Sequence, residues 1–372
     1  MGKRIAIIEN HVISVNTVRR GLIEALIAKG YVVTILSTGS AEELLISEQL
    51  GFKVIDIGSS NVNPLHVAKY LRNLRATLKK LKADIVLTYT MRPAIWGNMV
   101  TGALKIPTIT NITGTGPLSS SNSFTYRVAR MLYAGILRKT KLVFFQNEDD
   151  KEIFVSKKFV TEDQTRIIPG SGVDVNFFAP SEYYKKNDVF VFLFISRLIK
   201  DKGILEYVEA ARILKKNNIP AICKVVGPFW SQNLKENSIS KEEIDSWEKE
   251  GIIKYLGPIH DVRPQLAAAD CLVLPSYREG MSNVLLEASS MQKPCIASDV
   301  TGCKEIVVHG ETGLLTRVRD GKDLAEKMMT MQALSEVDRH QLGVNGRKRV
   351  TKHFNKQIVI EHYLNAIKEF AT

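Results

Sequence analysis

Four cysteines in 372 residues, none in a Cys-x-x-Cys pair and none beside a histidine at zinc-finger spacing, exclude a disulfide scaffold. Cys223, Cys271, Cys295 and Cys303 sit in or beside apolar, strand-like segments, which predicts reduced, buried thiols. No apolar run approaches the roughly 20 residues that span a bilayer. The opening MGKRIAIIENHV has too short an apolar part for a signal peptide, and Ala6 stands where myristoylation needs Ser or Thr. The expectation is a cytoplasmic protein. Short-period repeats and low-complexity tracts are also missing, which argues against a solenoid or a disordered scaffold. The first strand has no glycine fingerprint, and GTGPLS ends in Ser119 where a third glycine or alanine belongs, so a dinucleotide-dependent dehydrogenase is disfavoured.

What is present is a chain long enough for two domains of nearly equal size, with a 45% hydrophobic fraction normal for full cores. The net charge of +12 is uneven: residues 1–140 carry 18 Lys plus Arg against 7 Asp plus Glu, and the remainder is close to neutral. Such a surface suits nucleic acid, an anionic membrane leaflet or plain solubility. Its sharpest expression is LHVAKYLRNLRATLKKLK. Leu71, Leu74, Leu78 and Leu81 form one helical stripe there, and Lys69, Arg72, Arg75, Lys79, Lys80 and Lys82 cover the rest. The leucines read as core-facing and the cations as a membrane-surface patch, helped by RVARMLYAGILRKTK. A nucleic-acid-binding module is the competing reading, but the cations are not interleaved with aromatic stacking platforms, so no nucleic acid is expected.

Strand-like segments Arg4 to Ile8, Tyr31 to Leu36, Lys53 to Ile57, Ile85 to Tyr89, Thr108 to Ile112 and Lys141 to Phe145 alternate with helical ones up to residue 145. That alternation predicts an α/β fold with a parallel sheet covered on both faces. The polar stretch APSEYYKKND, residues 179–188, is the linker candidate, and the alternation restarts with VFVFLFIS, AICKVVG, IIKYLG, CLVLPS and PCIAS. Two doubly wound, Rossmann-like domains follow, residues 1–178 and 188–352, with ligands expected at strand carboxyl ends facing a cleft.

Within the second domain, REGMSNVLLEA places Glu279 and Glu287 with seven residues between them, downstream of Arg197 and Lys202 in SRLIKDKG. A helix from Asn283 to Ser290, opened by a turn of Gly280, Met281 and Ser282, would put Glu279 at a strand exit and Glu287 one turn into the helix. A nucleoside diphosphate needs fixed cations and free backbone donors, which Arg197, Lys202 and a helix N-terminus supply. The carboxylates would then face sugar hydroxyls. At these residues, and at Gly302, Glu305, Gly310 and Gly313 of TGCKEIVVHGETGLL, the chain resembles the retaining family-4 glycosyltransferases. The resemblance implies the GT-B fold, a last helix (353–372) crossing back to the first domain, and a nucleotide-sugar donor. It assigns Glu279 to the donor sugar, Glu287 to the ribose, and Arg197 and Lys202 to the diphosphate. Glu279, Arg197 and Lys202 are therefore the catalytic candidates, and Glu287, Gly280, Met281, Ser282, Asn283, Gly227 and Ile259 the donor-binding ones.

The Asp-x-Asp pair with which many other glycosyltransferases hold a divalent cation is missing, so neither metal nor cofactor is expected. The acceptor side is read from strand exits: His11 after the first, Arg92 after the fourth, Gly114 and Gly116 after the fifth. Family members often carry a glycine pair in the first loop and a histidine after the fourth strand. This chain has Asn10 to Ile13 and Tyr89–Thr90 at those places. The resemblance extends to bacterial enzymes that build capsular, lipopolysaccharide or lipid-linked glycans, with UDP the favoured nucleotide. An epimerase or a phosphorylase on the same fold is the alternative enzyme reading, though no acid–base carboxylate pair or pyridoxal-phosphate lysine is identifiable.

Overall fold

The computed structural model describes residues 2–58, 64–114, 134–181, 189–230 and 237–371, which fold as two α/β units. The first comprises residues 1–171 and 356–372, the second residues 172–355.

The first unit holds strands β1 (Arg4–Ile8), β2 (Val32–Ser37), β3 (Val54–Asp56), β4 (Ile85–Tyr89), β5 (Thr108–Ile112), β6 (Leu142–Phe145) and β7 (Thr165–Ile167). They form one parallel sheet in the order β3-β2-β1-β4-β5-β6-β7. Alternate residues feed two cores. Ile5, Ile7, Val33 and Ile35 face one side, while Ala6, Ile8 and Leu36 face the other, where Leu74 and Leu78 of helix Pro64–Leu81 pack. That helix buries its leucine stripe and exposes Lys69, Arg72, Arg75, Lys79 and Lys80, as its pattern requires. The helix Lys356–Phe370 returns to this unit, burying Val359, Ile360, Tyr363, Ala366 and Ile367 with Leu22, Ile23 and Leu26 of helix Arg20–Ala28.

Strands β8 (Phe190–Ile195), β9 (Ala221–Val226), β10 (Lys254–Tyr255), β11 (Cys271–Leu274), β12 (Cys295–Ser298) and β13 (Gly313–Thr316) build the second sheet, again parallel, in the order β10-β9-β8-β11-β12-β13. The four cysteines are buried free thiols, and burial pushes those of Cys223 and Cys295 up to about 12. They stay protonated at neutral pH and are inert as nucleophiles.

The division between units differs from the 178 and 188 boundaries read from the sequence. Gly170 and Gly172, both at positive φ, bracket the crossover at Ser171. Beyond it Val173 and Val175 are buried against Val191 and Leu193, and the Val173 amide donates to the Phe354 carbonyl at 2.8 Å. Packing thus claims residues 172–178 for the second unit. Its other end runs to Asn355 rather than 352. Most of the polar stretch 179–188 lies outside the described residues.

Candidate functional site

In each sheet the chain winds outward one way from the first strand and then the other way, so the first and fourth strands are neighbours with open space beyond their carboxyl ends. In the second unit those strands are β8 and β11. Arg197 and Lys202 leave β8, and Glu279 leaves β11.

Three glycines let these loops close on one another. Gly203, at φ +75°, lies so near the Pro275 carbonyl that a Cβ would stand 2.0 Å from its oxygen. Gly227 after β9, at φ +149°, presses on the Ser196 carbonyl, where a Cβ would fall 1.7 Å away. Gly302 after β12, at φ +82°, packs on the backbone of Glu279 and receives the Ser282 amide on its carbonyl at 3.0 Å. Only glycine tolerates both the left-handed backbone and the contact. Gly227→Ala is expected to cost about 2 kcal/mol or more of stability from strain alone. Urea unfolding of the variant measures this, and an unchanged midpoint would show that Ser196 relaxes freely.

The closed loops bring the predicted charges together. Lys202 Nζ donates to Glu279 Oε1 at 2.6 Å, and Ser276 Oγ donates to the same oxygen at 2.7 Å. The side chains of Lys202 and Glu279 are 15% and 13% exposed, a setting in which charge attraction is stronger than in water. Arg197 is exposed, its guanidinium 4.7 Å from the centre of the Trp230 ring contributed by the β9 exit. Ser282 caps helix Asn283–Ser290 by accepting the Leu285 amide at 3.4 Å, and Glu287 stands half-buried one turn in.

Other candidates divide by side-chain direction. Met281 is buried in the core and Ile259 packs half-buried against it, so any ligand contact from either falls to the main chain. Gly280 and Asn283 lie half-buried at the helix start, and the Gly227 carbonyl accepts the Tyr255 hydroxyl at 2.8 Å. Glu305 accepts the Gly302 amide at 2.7 Å and thereby holds the loop under Glu279. Sequence reasoning missed Gly203, Ser276 and Trp230. The glycine directly following Lys202 was a usable signal for the first, whereas nothing in the sequence marks the other two.

At the corresponding point of the first unit, Glu9 follows β1 directly and Tyr89 ends β4. His11 caps a short helix, Val12–Asn16, accepting the Ile13 amide on Nδ1 at 3.5 Å, with Nε2 3.9 Å from Glu43. One ring nitrogen is therefore committed to the loop itself. Arg92 is exposed in the first turn of helix Met91–Leu104, behind Thr90 at φ +64°. Gly114 has φ +138°, while Gly116 lies outside the described residues.

Beneath these loops lies a buried polar cluster. Arg19 Nε is 3.6 Å from Glu9 Oε2, Arg19 donates to Ser171 Oγ at 2.8 Å, and its guanidinium covers the Tyr89 ring at 4.1 Å. Asn111 donates to the Tyr363 hydroxyl at 2.8 Å. Burial raises the Glu9 carboxyl above the usual carboxylate range although Arg19 pulls it down.

Comparison with known proteins gives the family and the fold. Residues 177–349 match the family described as Glycosyl transferases group 1, and residues 15–185 match a Glycosyl transferase 4-like domain. The chain is 30% identical over 276 residues, 70% of itself and 69% of the relative, to the Escherichia coli UDP-Gal:alpha-D-GlcNAc-diphosphoundecaprenol alpha-1,3-galactosyltransferase. It is 26% identical over 336 residues, 85% of each chain, to the Campylobacter jejuni N,N'-diacetylbacillosaminyl-diphospho-undecaprenol alpha-1,3-N-acetylgalactosaminyltransferase. With the Staphylococcus aureus capsular polysaccharide biosynthesis glycosyltransferase CapM it shares 33% identity over 181 residues, 48% of this chain and 46% of that one. The fold is that of Anabaena HepE, solved in complex with UDP-glucose, at a TM-score of 0.81 and 18% identity over 98% of this chain and 99% of that one. Two parallel doubly wound sheets and these matches together place the chain in the group 1, family-4-like glycosyltransferases of the GT-B fold.

Proposed function

We propose that this glycosyltransferase moves a sugar from a UDP-sugar to a lipid-linked glycan acceptor in bacterial polysaccharide assembly, with retention of configuration and without a metal ion. The observation that carries the reading is the contact of Lys202 with Glu279 at the switch point where Arg197 also leaves β8. A diphosphate arriving there would draw Lys202 and take the Arg197 fork across two oxygens. Its leaving-group charge would be answered by fixed cations in place of a bound ion. Glu279 and Glu287 would accept hydrogen bonds from sugar and ribose hydroxyls. No carboxylate is assigned as a nucleophile. The acceptor hydroxyl would attack the face that the nucleotide leaves, giving its proton to a donor phosphate oxygen.

The lipid-linked acceptor is supported by the names of the two long-matching relatives, both of which act on diphospho-undecaprenol sugars. A peripheral station on an anionic leaflet is supported by helix Pro64–Leu81, whose exposed face carries five cations and Leu65, itself 78% exposed. Among the described residues, no helix is long and apolar enough to cross a membrane. Incubation with a panel of UDP- and GDP-sugars, chelator and a bacterial lipid extract tests the reading through nucleotide release. Release from one UDP-sugar that persists in chelator and needs the extract is the expected result. Release abolished by chelator would remove the metal-free mechanism.

A further inference from the structure

The first sheet has a second recess at its amino edge, remote along the strands from the carboxyl-end loops described above. Arg4 and Ala6 of β1, Val32 and Thr34 of β2, Ile55 of β3 and Lys53 just before it share the face that helix Pro64–Leu81 covers, because Arg4 pairs with Val32 and Ala6 with Thr34 in register. Ala6 and Thr34 are themselves buried at its base, and Thr77, Lys80 and Leu81 from the last turn of the helix complete the lining. A cavity of about 470 Å³ results, within the usual range for small-molecule sites.

Its chemistry is one-sided. Arg4, Lys53 and Lys80 line it, with the hydroxyl-bearing Thr34 and Thr77, and no carboxylate does. Asp84, just outside, accepts the Arg4 amide at 2.6 Å and stands 3.6 Å from its guanidinium, so Arg4 is held in place and half neutralised. Part of the Lys80 charge answers the carbonyl end of its own helix. That explanation does not reach Lys53 or Arg4, which come from strands. Three cations from three different elements around one cavity with an apolar floor fit an occupant with an anionic head and a compact organic body.

We propose that this cavity binds a phosphate ester, its phosphate held between Arg4, Lys53 and Lys80 and its organic part seated against Val32, Ile55 and Leu81. The chemistry is shared by a soluble sugar- or glycerol-phosphate and by the headgroup of an anionic phospholipid. The site does not depend on the donor reading, since it lies at the other end of the strands and in the first unit.

The test uses the full chain and two double variants that remove equal charge from exposed positions. Lys53→Glu with Lys80→Glu alters the cavity, and Lys69→Glu with Arg72→Glu alters the helix surface away from it. Binding of sn-glycerol 3-phosphate is measured by calorimetry. Binding to phosphatidylcholine vesicles with and without phosphatidylglycerol is measured by sedimentation. Saturable glycerol-phosphate binding that weakens at least about tenfold in the cavity variant and holds in the surface variant establishes the site for soluble esters. Absence of that binding, with phosphatidylglycerol-dependent sedimentation falling about tenfold further in the cavity variant than in the surface variant, establishes it for a lipid headgroup. Glycerol-phosphate binding indifferent to the cavity variant overturns the proposal. So does vesicle binding that responds equally to both variants when no glycerol phosphate binds.

Discussion

Lys202→Ala is expected to lower sugar transfer about a hundredfold or more, comparable with the loss of one preorganised electrostatic contact. The Lys202 side chain is 15% exposed and its ammonium donates to Glu279, so the site holds its charge in a poorly hydrated place before any phosphate arrives. Alanine removes the point charge that the leaving diphosphate would meet. Glu279 keeps its bond from Ser276, so its carboxylate is not left stranded and the fold survives. Glu279→Gln preserves shape and tests the opposite partner. It weakens both bonds to the side-chain oxygen and removes the charge that orients Lys202, and a loss of similar size is expected. Initial rates on the best donor, with thermal midpoints as a folding control, check both. Near-normal turnover by either folded variant would take that residue out of the mechanism.

Arg19→Met is expected to cost about 3–5 kcal/mol of stability at neutral pH, the penalty for stranding one partner of a buried ion pair. The two side chains are 8% and 1% exposed, and Met fills much of the Arg19 volume without its charge. The cost carries a pH signature. The folded protein binds the Glu9 proton more tightly than the unfolded chain does, because burial outweighs Arg19 and holds the carboxyl above its ordinary value of 4.5. Ionisation of Glu9 therefore subtracts stability as pH rises from the unfolded value towards the raised folded one. Without Arg19 the folded value climbs further, the window widens upward, and the variant's deficit grows with pH. Urea unfolding at pH 5 and pH 7.5 should show the smaller deficit at pH 5. Equal deficits at both would mean that Glu9 stays neutral throughout or is reached by water.

Much of the second unit could be read directly. Ser282 before an apolar-periodic run announced helix Asn283–Ser290, and the continuous apolar runs of β8 and β11 announced strands buried on both faces. The helix Val12–Asn16 escaped because VISVN is rich in β-branched residues. It is helical only because His11 caps it and the Val12 amide bonds to the Thr38 carbonyl across the loop. Strand β13 escaped because Gly-Leu-Leu-Thr is too short to show a period. Its strand state comes from pairing with β12. The linker was misplaced for a related reason. A polar composition marks solvent exposure, whereas a domain boundary is set by which core claims the neighbouring side chains, here Val173 and Val175.

By itself the sequence determined the α/β class, the two-unit plan and the family, because these rest on periodicity and on motifs whose members lie within a few residues of one another. The tertiary structure alone decided that Lys202 and Glu279 meet, that Trp230 lies under Arg197, that Arg19 is buried on Glu9 and Tyr89, and that Arg4, Lys53 and Lys80 line one cavity. Each of these contacts joins residues that strand order and register bring together, and neither order nor register is written in any local stretch of chain.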